Sequence, residues 1–337
     1  MPYKEFKKNV GAYFPFEYLL DFLEFLNKNK DIIKVITYRD LPWRNDFDYL
    51  NNYPKEFARW RRQLNWGKKD RNIIYVLIQH DVDSYPERTL ALLREEERLG
   101  IPSNVMIFKR RTDRYYYEKT GQLVFTDYDL DYNYLRRLEK EKGFTIGYHS
   151  NAFEQALFNK KKGFEIFKND VEALRKNFNI FFISPHGGAR NENGFSNNIL
   201  PIPSSLKRSL RWVQNRHTVR FDGQYSDGGI NLPGYKSLKE RDLKDFVKTW
   251  ESGKRYRVLI HPEYYHTSYI PSPRMTGTHW YDNLLEFYSD GHRGSIWEDV
   301  VLTETGDLSN SKPIQINPNF SFRHSLKKFV RKCCVWK

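Results

Sequence analysis

The chain has 337 residues, enough for one large α/β domain with extensions, and its 24 Phe, 23 Tyr and 8 Trp supply the volume of a core. The sequence has no apolar run of about 18 residues and no secretory signal, which predicts a cytoplasmic protein. Its two cysteines, Cys333 and Cys334, are adjacent and cannot build a disulfide framework or a cysteine zinc site. Residues 308–337 carry seven basic and no acidic residues, half of the net charge of +14, so with no recognition motif elsewhere we expect no nucleic-acid binding.

Residues 1–70 are predicted to be an N-terminal accessory segment with a helix over 16–26, a strand over 32–38 and a second helix over 54–64. The apolar, β-branched run that follows, residues 73–83, predicts a buried strand ending in Asp81 and Asp83. Carboxylates are costly in a core unless they are paired or bind a cation, so this strand end indicates a site. Side chains two apart on a strand point to the same side, which lets one carboxylate bind a metal while the other acts as a base. The alternative is a turn in which Asp83 or Ser84 caps a helix starting at Pro86.

Further alternation of helices and strands predicts a parallel sheet or (β/α) barrel over residues 71–300. The pattern indicates helices over 86–99, 130–142, 153–178, 243–250 and 280–288, and strands over 103–108, 144–148, 180–183 and 256–260. The longest helix has an apolar stripe from Phe153 to Phe178, which is typical of core packing rather than a cofactor site.

Four of the predicted strands end in ionisable residues: Asp81 and Asp83, His149, His186, and His261. In a parallel barrel the carboxyl ends of the strands share one face, so these side chains are expected to converge. Nitrogen and oxygen ligands with an open position suit catalytic zinc, while a neighbouring carboxylate and a separate imidazole can act as base and acid. The residues therefore predict metal-assisted hydrolysis of an amide or ester.

The chain resembles the polysaccharide deacetylase family, the NodB-homology domain of carbohydrate esterase family 4. The resemblance is carried by five motifs in the family's order: His80-Asp81-Val82-Asp83, Ile146-Gly147-Tyr148-His149-Ser150-Asn151, Ser184-Pro185-His186-Gly187-Gly188, Tyr225-Ser226-Asp227-Gly228-Gly229 and Leu259-Ile260-His261-Pro262-Glu263. It implies an irregular (β/α) barrel that uses zinc or a similar divalent ion to remove acetyl groups from N-acetylated sugars. It also implies roles for Asp81 as the base, Asp83 and His149 as metal ligands, His261 as the general acid and Asp227 as its supporting carboxylate.

The second motif departs from the family, because Phe153 stands where the family has a second histidine ligand. We expect His186 to be the third metal ligand, with Asn151 and Glu154 as alternatives. Asn151, Arg190 and Glu263 are candidate substrate-binding residues. His80 and His266 are expected either to support the site residues or to be structural, and Asp222 competes weakly with Asp227 for the supporting role.

The predicted function is removal of an acetyl group from an N-acetylated sugar or sugar-linked intermediate of surface polysaccharide metabolism, and an intracellular precursor is the expected substrate. The alternatives are a degenerate carbohydrate-binding barrel and a different metal-dependent hydrolase. Residues 308–337 are predicted to be a linker and a basic amphipathic helix, and residues 322–337 could contact the anionic inner face of a membrane. A solvated terminal helix is the alternative reading of this tail.

Overall fold

A computed structural model describes residues 14–41, 43, 70–112, 120, 124–128, 130–187, 197, 203–206, 209–213, 221–227 and 243–266. The predicted helices over 54–64 and 280–288 and the tail, 308–337, lie outside the described residues. The strands in chain order are β1 (Phe14–Pro15), β2 (Ile33–Ile36), β3 (Ile74–Val82), β4 (Asn104–Ile107), β5 (Arg110–Thr112), β6 (Phe125–Asp127), β7 (Thr145–Ser150), β8 (Phe182–Pro185), β9 (Arg211–Trp212), β10 (Gly223–Ser226), β11 (Arg255–Ile260) and β12 (Tyr265–His266). The α-helices are α1 (Phe16–Lys28), α2 (Pro86–Leu99), α3 (Tyr132–Glu141), α4 (Ala152–Gln155), α5 (Lys160–Arg175) and α6 (Leu243–Val247).

The central sheet is parallel at every strand pair, in the order β10-β11-β3-β4-β7-β8-β9, with β2 also paired to β3. Strand β11 pairs along Tyr75–His80 and so takes one edge of β3. Strands β2 and β4 share the other edge, β2 along Ile74–Leu77 and β4 along Gln79–Val82. The predicted α/β class is confirmed, since the parallel sheet curls into a half-barrel flanked by helices. Strand β2 comes from the predicted accessory segment, and a domain boundary near residue 70 stays a prediction.

The alternation of side chains along β3 separates the two faces of the sheet. Ile74, Val76 and Ile78 share a hydrophobic cluster with helix α1, whereas Leu77 lies in another with Tyr38. Because successive side chains on a strand point to opposite faces, Gln79, Asp81 and Asp83 continue the series of Leu77. The two acids of the strand end therefore belong to the inner face of the curled sheet.

Helix α1 covers the outer face of β3 with the stripe that its sequence predicts. Its apolar residues Leu19, Phe22, Leu23 and Leu26 recur at helical spacing, and all are buried. Burying one such side chain stabilises the fold by roughly 1.5–3 kcal/mol. Helix α2 begins at Pro86 and ends at Leu99, and it is followed by Gly100, whose φ of 68° lies in the left-handed region that favours glycine. No helix in the described ranges is both long and apolar enough to cross a membrane.

The continuous helix predicted over 153–178 is wrong, because the chain forms the short helix α4 and then α5. Between them Leu157 and Phe158 have φ values of 50° and 61°, which a right-handed helix cannot contain. Asn159 then begins α5 by accepting a hydrogen bond from the backbone N–H of Lys162 at 3.1 Å. Leu157, expected in the core, is 66% exposed.

Candidate active site

The ionisable side chains predicted at the strand ends meet at the carboxyl edge of the sheet. Asp83 lies between two imidazoles, with its Oδ1 3.1 Å from Nε2 of His149 and its Oδ2 3.7 Å from Nε2 of His186. Nε2 of His149 is also 4.0 Å from Oδ2 of Asp81. Asp83 does not cap helix α2, which is preceded by Tyr85 and has no side-chain cap. The acids, His149 and His186 thus form one cluster across β3, β7 and β8.

The tautomer of His149 follows from its partner on the neighbouring strand. Its Nδ1 lies 3.1 Å from the backbone carbonyl of Ser184 and 2.8 Å from the hydroxyl of the same residue. Since a carbonyl oxygen can only accept, Nδ1 carries the proton and Nε2 presents its lone pair to Asp83 in the neutral ring. Burial lowers the pKa of His149, but the carboxylates of Asp81 and Asp83 outweigh it and raise that pKa above its ordinary value.

The same cluster holds the pKa of Asp83 far below its ordinary value. Burial alone would raise it, but the imidazoles of His186 and His149 outweigh burial. Oδ1 of Asp83 is buried and has no hydrogen-bond partner in the described part of the chain, although Nε2 of His149 is close. At 3.1 Å, the lone pairs of Oδ1 of Asp83 and Nε2 of His149 repel each other unless a proton or a cation lies between or beside them.

Among the described residues no group of three His, Cys, Asp or Glu side chains has the geometry of a preformed metal centre. The donors nevertheless suit a cation, because Nε2 of His149 and Nε2 of His186 each lie within 4 Å of the Asp83 carboxylate, whose Oδ1 has no hydrogen-bond partner among the described residues. One carboxylate and two imidazoles are a usual ligand set for catalytic zinc. The residues therefore fit the divalent ion that the sequence predicts.

Asp81 is held by a hydrogen-bonded chain inside the half-barrel. Its Oδ1 accepts from Nε2 of Gln79 at 2.6 Å and from Oγ of Ser184 at 3.3 Å. Oε1 of Gln79 in turn accepts from the hydroxyl of Tyr38 at 2.5 Å and from Nη2 of Arg257 at 2.8 Å. Gln79 could have been noticed in the sequence because it is two residues before Asp81 on the same strand face, whereas Tyr38, Ser184 and Arg257 reach the site from distant elements.

His261 and Asp227 form a close pair directly after the adjacent strands β11 and β10. Nδ1 of His261 lies 2.5 Å from Oδ1 of Asp227, and the backbone N–H of His261 donates to Oδ2 at 2.7 Å. Burial lowers the pKa of His261, but the fully buried Asp227 carboxylate outweighs it, and the pKa rises to about 10. Asp222 lies elsewhere, where its Oδ2 accepts from the backbone N–H of Arg255 at 3.0 Å.

The remaining candidates have local partners. Asn151 donates to the carbonyl of Arg110 at 2.7 Å and accepts from Gln155 at 2.7 Å. Glu263 is buried in the turn after β11, and its carbonyl accepts a hydrogen bond from Arg88. Arg190 lies outside the described residues, and the side chain of His266 is not described. His80 is fully buried, and its Nε2 lies 2.7 Å from Oε1 of Glu96.

Comparisons with known proteins give two structural neighbours. No family model matches the chain, and no curated protein matches it. One neighbour is a mutant of peptidoglycan deacetylase PdaC from Bacillus subtilis, with 14% identity, a TM-score of 0.30, and coverage of 64% of this chain and 83% of that one. The other is a family 4 carbohydrate esterase from Bacillus anthracis, with 14% identity, a TM-score of 0.27, and coverage of 65% and 79%. The fold class given above follows from the strand pairing of this chain itself.

Proposed function

We propose that this protein is a metal-dependent hydrolase that removes the acetyl group from an N-acetylated sugar or a sugar-linked intermediate. The observation that carries the proposal is the cluster of Asp83, His149 and His186 beside a separate carboxylate and a separate, charged imidazole. His261 is near enough to this cluster for the carboxylates of Asp83 and Asp81 to contribute to its raised pKa. Metal-assisted hydrolysis of an amide can use such a combination, with the ion as Lewis acid, the carboxylate as base and the imidazolium as acid.

The ligands in this proposal are Asp83, His149 and His186, and the ion is zinc. A bound divalent ion supplies Lewis acidity for the amide carbonyl and the attacking water. The protein orients the donors: Ser184 holds the His149 ring through Nδ1, so that Nε2 faces the carboxylate. The ring of Phe108 stacks on His149 with centroids 4.9 Å apart and meets His186 edge-on at 5.2 Å, which fixes both imidazoles from an apolar side.

Asp81 accepts the proton of the attacking water in this mechanism. Its Oδ1 already accepts hydrogen bonds from Gln79 and Ser184, so Oδ2 is the atom that takes the proton. Asp81 is 8% exposed, which keeps it within reach of the solvent side of the site. As the C–N bond breaks, the nitrogen of the sugar needs a proton. His261 gives it from Nε2, because Nδ1 is engaged by Asp227.

The test measures acetate release from N-acetylated sugar oligomers and bound metal on the purified full chain. Activity is expected to disappear with a chelator and to return with zinc. Asp81→Asn and His261→Ala should each lower kcat by about 10²–10⁴-fold while metal stays bound. His149→Ala should lose stoichiometric metal. Asp222→Asn is the matched control, since this carboxylate bonds to Arg255 and is expected to leave kcat unchanged.

Unchanged turnover in Asp81→Asn or His261→Ala contradicts the assigned acid–base roles. A protein that binds the sugars but releases no acetate at any metal loading is instead the carbohydrate-binding barrel considered as the alternative. That outcome ends the enzyme proposal.

A further inference from the structure

His186 makes a contact on the far side of its ring that its expected ligand role does not explain. Its Nε2 faces Oδ2 of Asp83 at 3.7 Å, and its Nδ1 lies 3.1 Å from Oε2 of Glu154. The two ring nitrogens of an imidazole point in divergent directions, so Glu154 contacts the edge of the ring that is turned away from Asp83. Glu154 is 3% exposed, and burying a carboxylate is costly unless it is paired with a donor or a charge.

The position of Glu154 distinguishes two candidate roles, that of a metal ligand and that of a residue that orients a ligand. As an alternative metal ligand it needs its carboxylate beside Asp83 and the Nε2 atoms. Its Oε2 is instead within hydrogen-bond distance of Nδ1 of His186, which places the proton on Nδ1 and the lone pair on Nε2. Histidines that bind metal commonly donate their other N–H to a carboxylate, which fixes the tautomer and the ring orientation.

Asn197 ties the two partners together through their backbones. Its Oδ1 accepts from the N–H groups of Phe153 at 3.0 Å and Glu154 at 3.2 Å, and its Nδ2 donates to the carbonyl of His186 at 3.3 Å. Asn197 is 2% exposed, so water competes little for these bonds. The start of α4 and the loop after β8 are thereby held at a fixed separation, which sets the distance from the Glu154 carboxylate to the His186 ring.

We propose that Glu154 is a positioning residue that acts through His186, with Asn197 holding the pair. The inference rests on the proposed metal site. In this arrangement Glu154 does not take over the ligand role of the histidine that the family has at the position of Phe153. It orients a ligand supplied by the loop after the next strand, β8.

The test measures zinc affinity of the full chain by competition with a chromophoric chelator. Glu154→Gln should weaken zinc binding by about 10- to 100-fold, the usual effect of losing such a partner. Glu165→Gln, the same exchange at an exposed position of helix α5, should change nothing. Thermal unfolding of each metal-free variant identifies loss of folding. If Glu154→Gln does not fold, Asn197→Ala gives the second measurement, with weaker zinc binding expected.

A double-mutant cycle separates positioning from ligation. In the His186→Ala background, Glu154→Gln should cost no further affinity, because Glu154 then has no ring to orient. Equal losses in both backgrounds mean that Glu154 binds the metal directly, which overturns the proposal. Unchanged affinity of Glu154→Gln in an active, zinc-binding protein overturns this inference and leaves the proposed function standing. Absence of zinc binding by the unmodified chain overturns both.

Discussion

The pair of His261 and Asp227 determines the charge on the proposed acid. Burial removes water from the imidazole and would favour its neutral form, but Oδ1 of Asp227 lies 2.5 Å from Nδ1. The carboxylate outweighs burial, so the pKa of His261 is about 10 and the ring stays protonated at neutral pH. A proton donor is therefore in its active form over the whole neutral range.

Asp227→Asn should move the alkaline limb of the kcat–pH profile to lower pH. The imidazolium is the active form, so activity falls as pH rises through the pKa of His261. Removing the carboxylate charge of Asp227 lowers that pKa, because only the carboxylates of Asp83 and Asp81 then oppose the effect of burial on the charged form. The measurement is kcat against pH from about 5 to 11 for both proteins, since kcat reports groups of the substrate complex.

Asp222→Asn serves as the control for this shift, because its carboxylate contacts the backbone of Arg255 instead of His261. Its alkaline limb should coincide with that of the unmodified protein. An identical limb in Asp227→Asn as well would show that the limb belongs to a group other than His261.

The strand ends that carry the site could be predicted from the sequence, whereas the residues that contact and support them could not. The run 73–83 is apolar, β-branched and long, so its strand and the inward direction of Asp81 and Asp83 follow from composition and a period of two. The helix breaks at Leu157 and Phe158, and because neither residue is a glycine or a proline, the sequence does not predict this break. Tyr38 and Arg257 reach Gln79 across 41 and 178 residues of sequence, and contacts of that range depend on the sheet order.

Gly147 shows how closely β4 and β7 approach beneath the site. A Cβ at this position would lie 2.2 Å from Sδ of Met106 and 3.0 Å from the carbonyl oxygen of Phe182. Gly147→Ala should therefore destabilise the protein by about 1–3 kcal/mol, the usual cost of overpacking a core. Denaturant unfolding of the metal-free protein measures the change. Gly187→Ala, where a Cβ would meet no atom of the described residues within 4 Å, is the control and should be near neutral.

The order of the strands in the central sheet explains why motifs that are far apart in the sequence can form one site. Strands β3, β4, β7 and β8 are consecutive neighbours, and β11 and β10 continue the sheet on the other side of β3. All of them are parallel, so every loop that follows a strand opens at the same edge. Residues as far apart as Asp81 and His261 reach that edge through pairing, and β3 is the strand that joins the two halves.

Residues 308–337, which lie outside the described residues, carry half of the net charge of +14. Their apolar positions recur by threes and fours, and basic residues fill the positions between them: Phe322, Leu326, Phe329, Val330, Cys333 and Trp336 are apolar, and Arg323, Lys327, Lys328, Arg331 and Lys332 are basic. A helix with this pattern can lie in a membrane interface. Each Lys or Arg near an anionic bilayer contributes about 1 kcal/mol, so five of them can hold a protein loosely at the surface.

The full chain should therefore sediment with anionic vesicles at low salt, and a version ending at Asp307 should stay in the supernatant. Raising the salt should release the full chain, because the attraction of exposed charges is screened within a Debye length of about 10 Å at 0.1 M. Vesicles of neutral lipid should bind neither protein, which separates charge attraction from insertion of the apolar side chains. Equal sedimentation of the two proteins with anionic vesicles would mean that the tail is a solvated helix and that the membrane prediction is wrong.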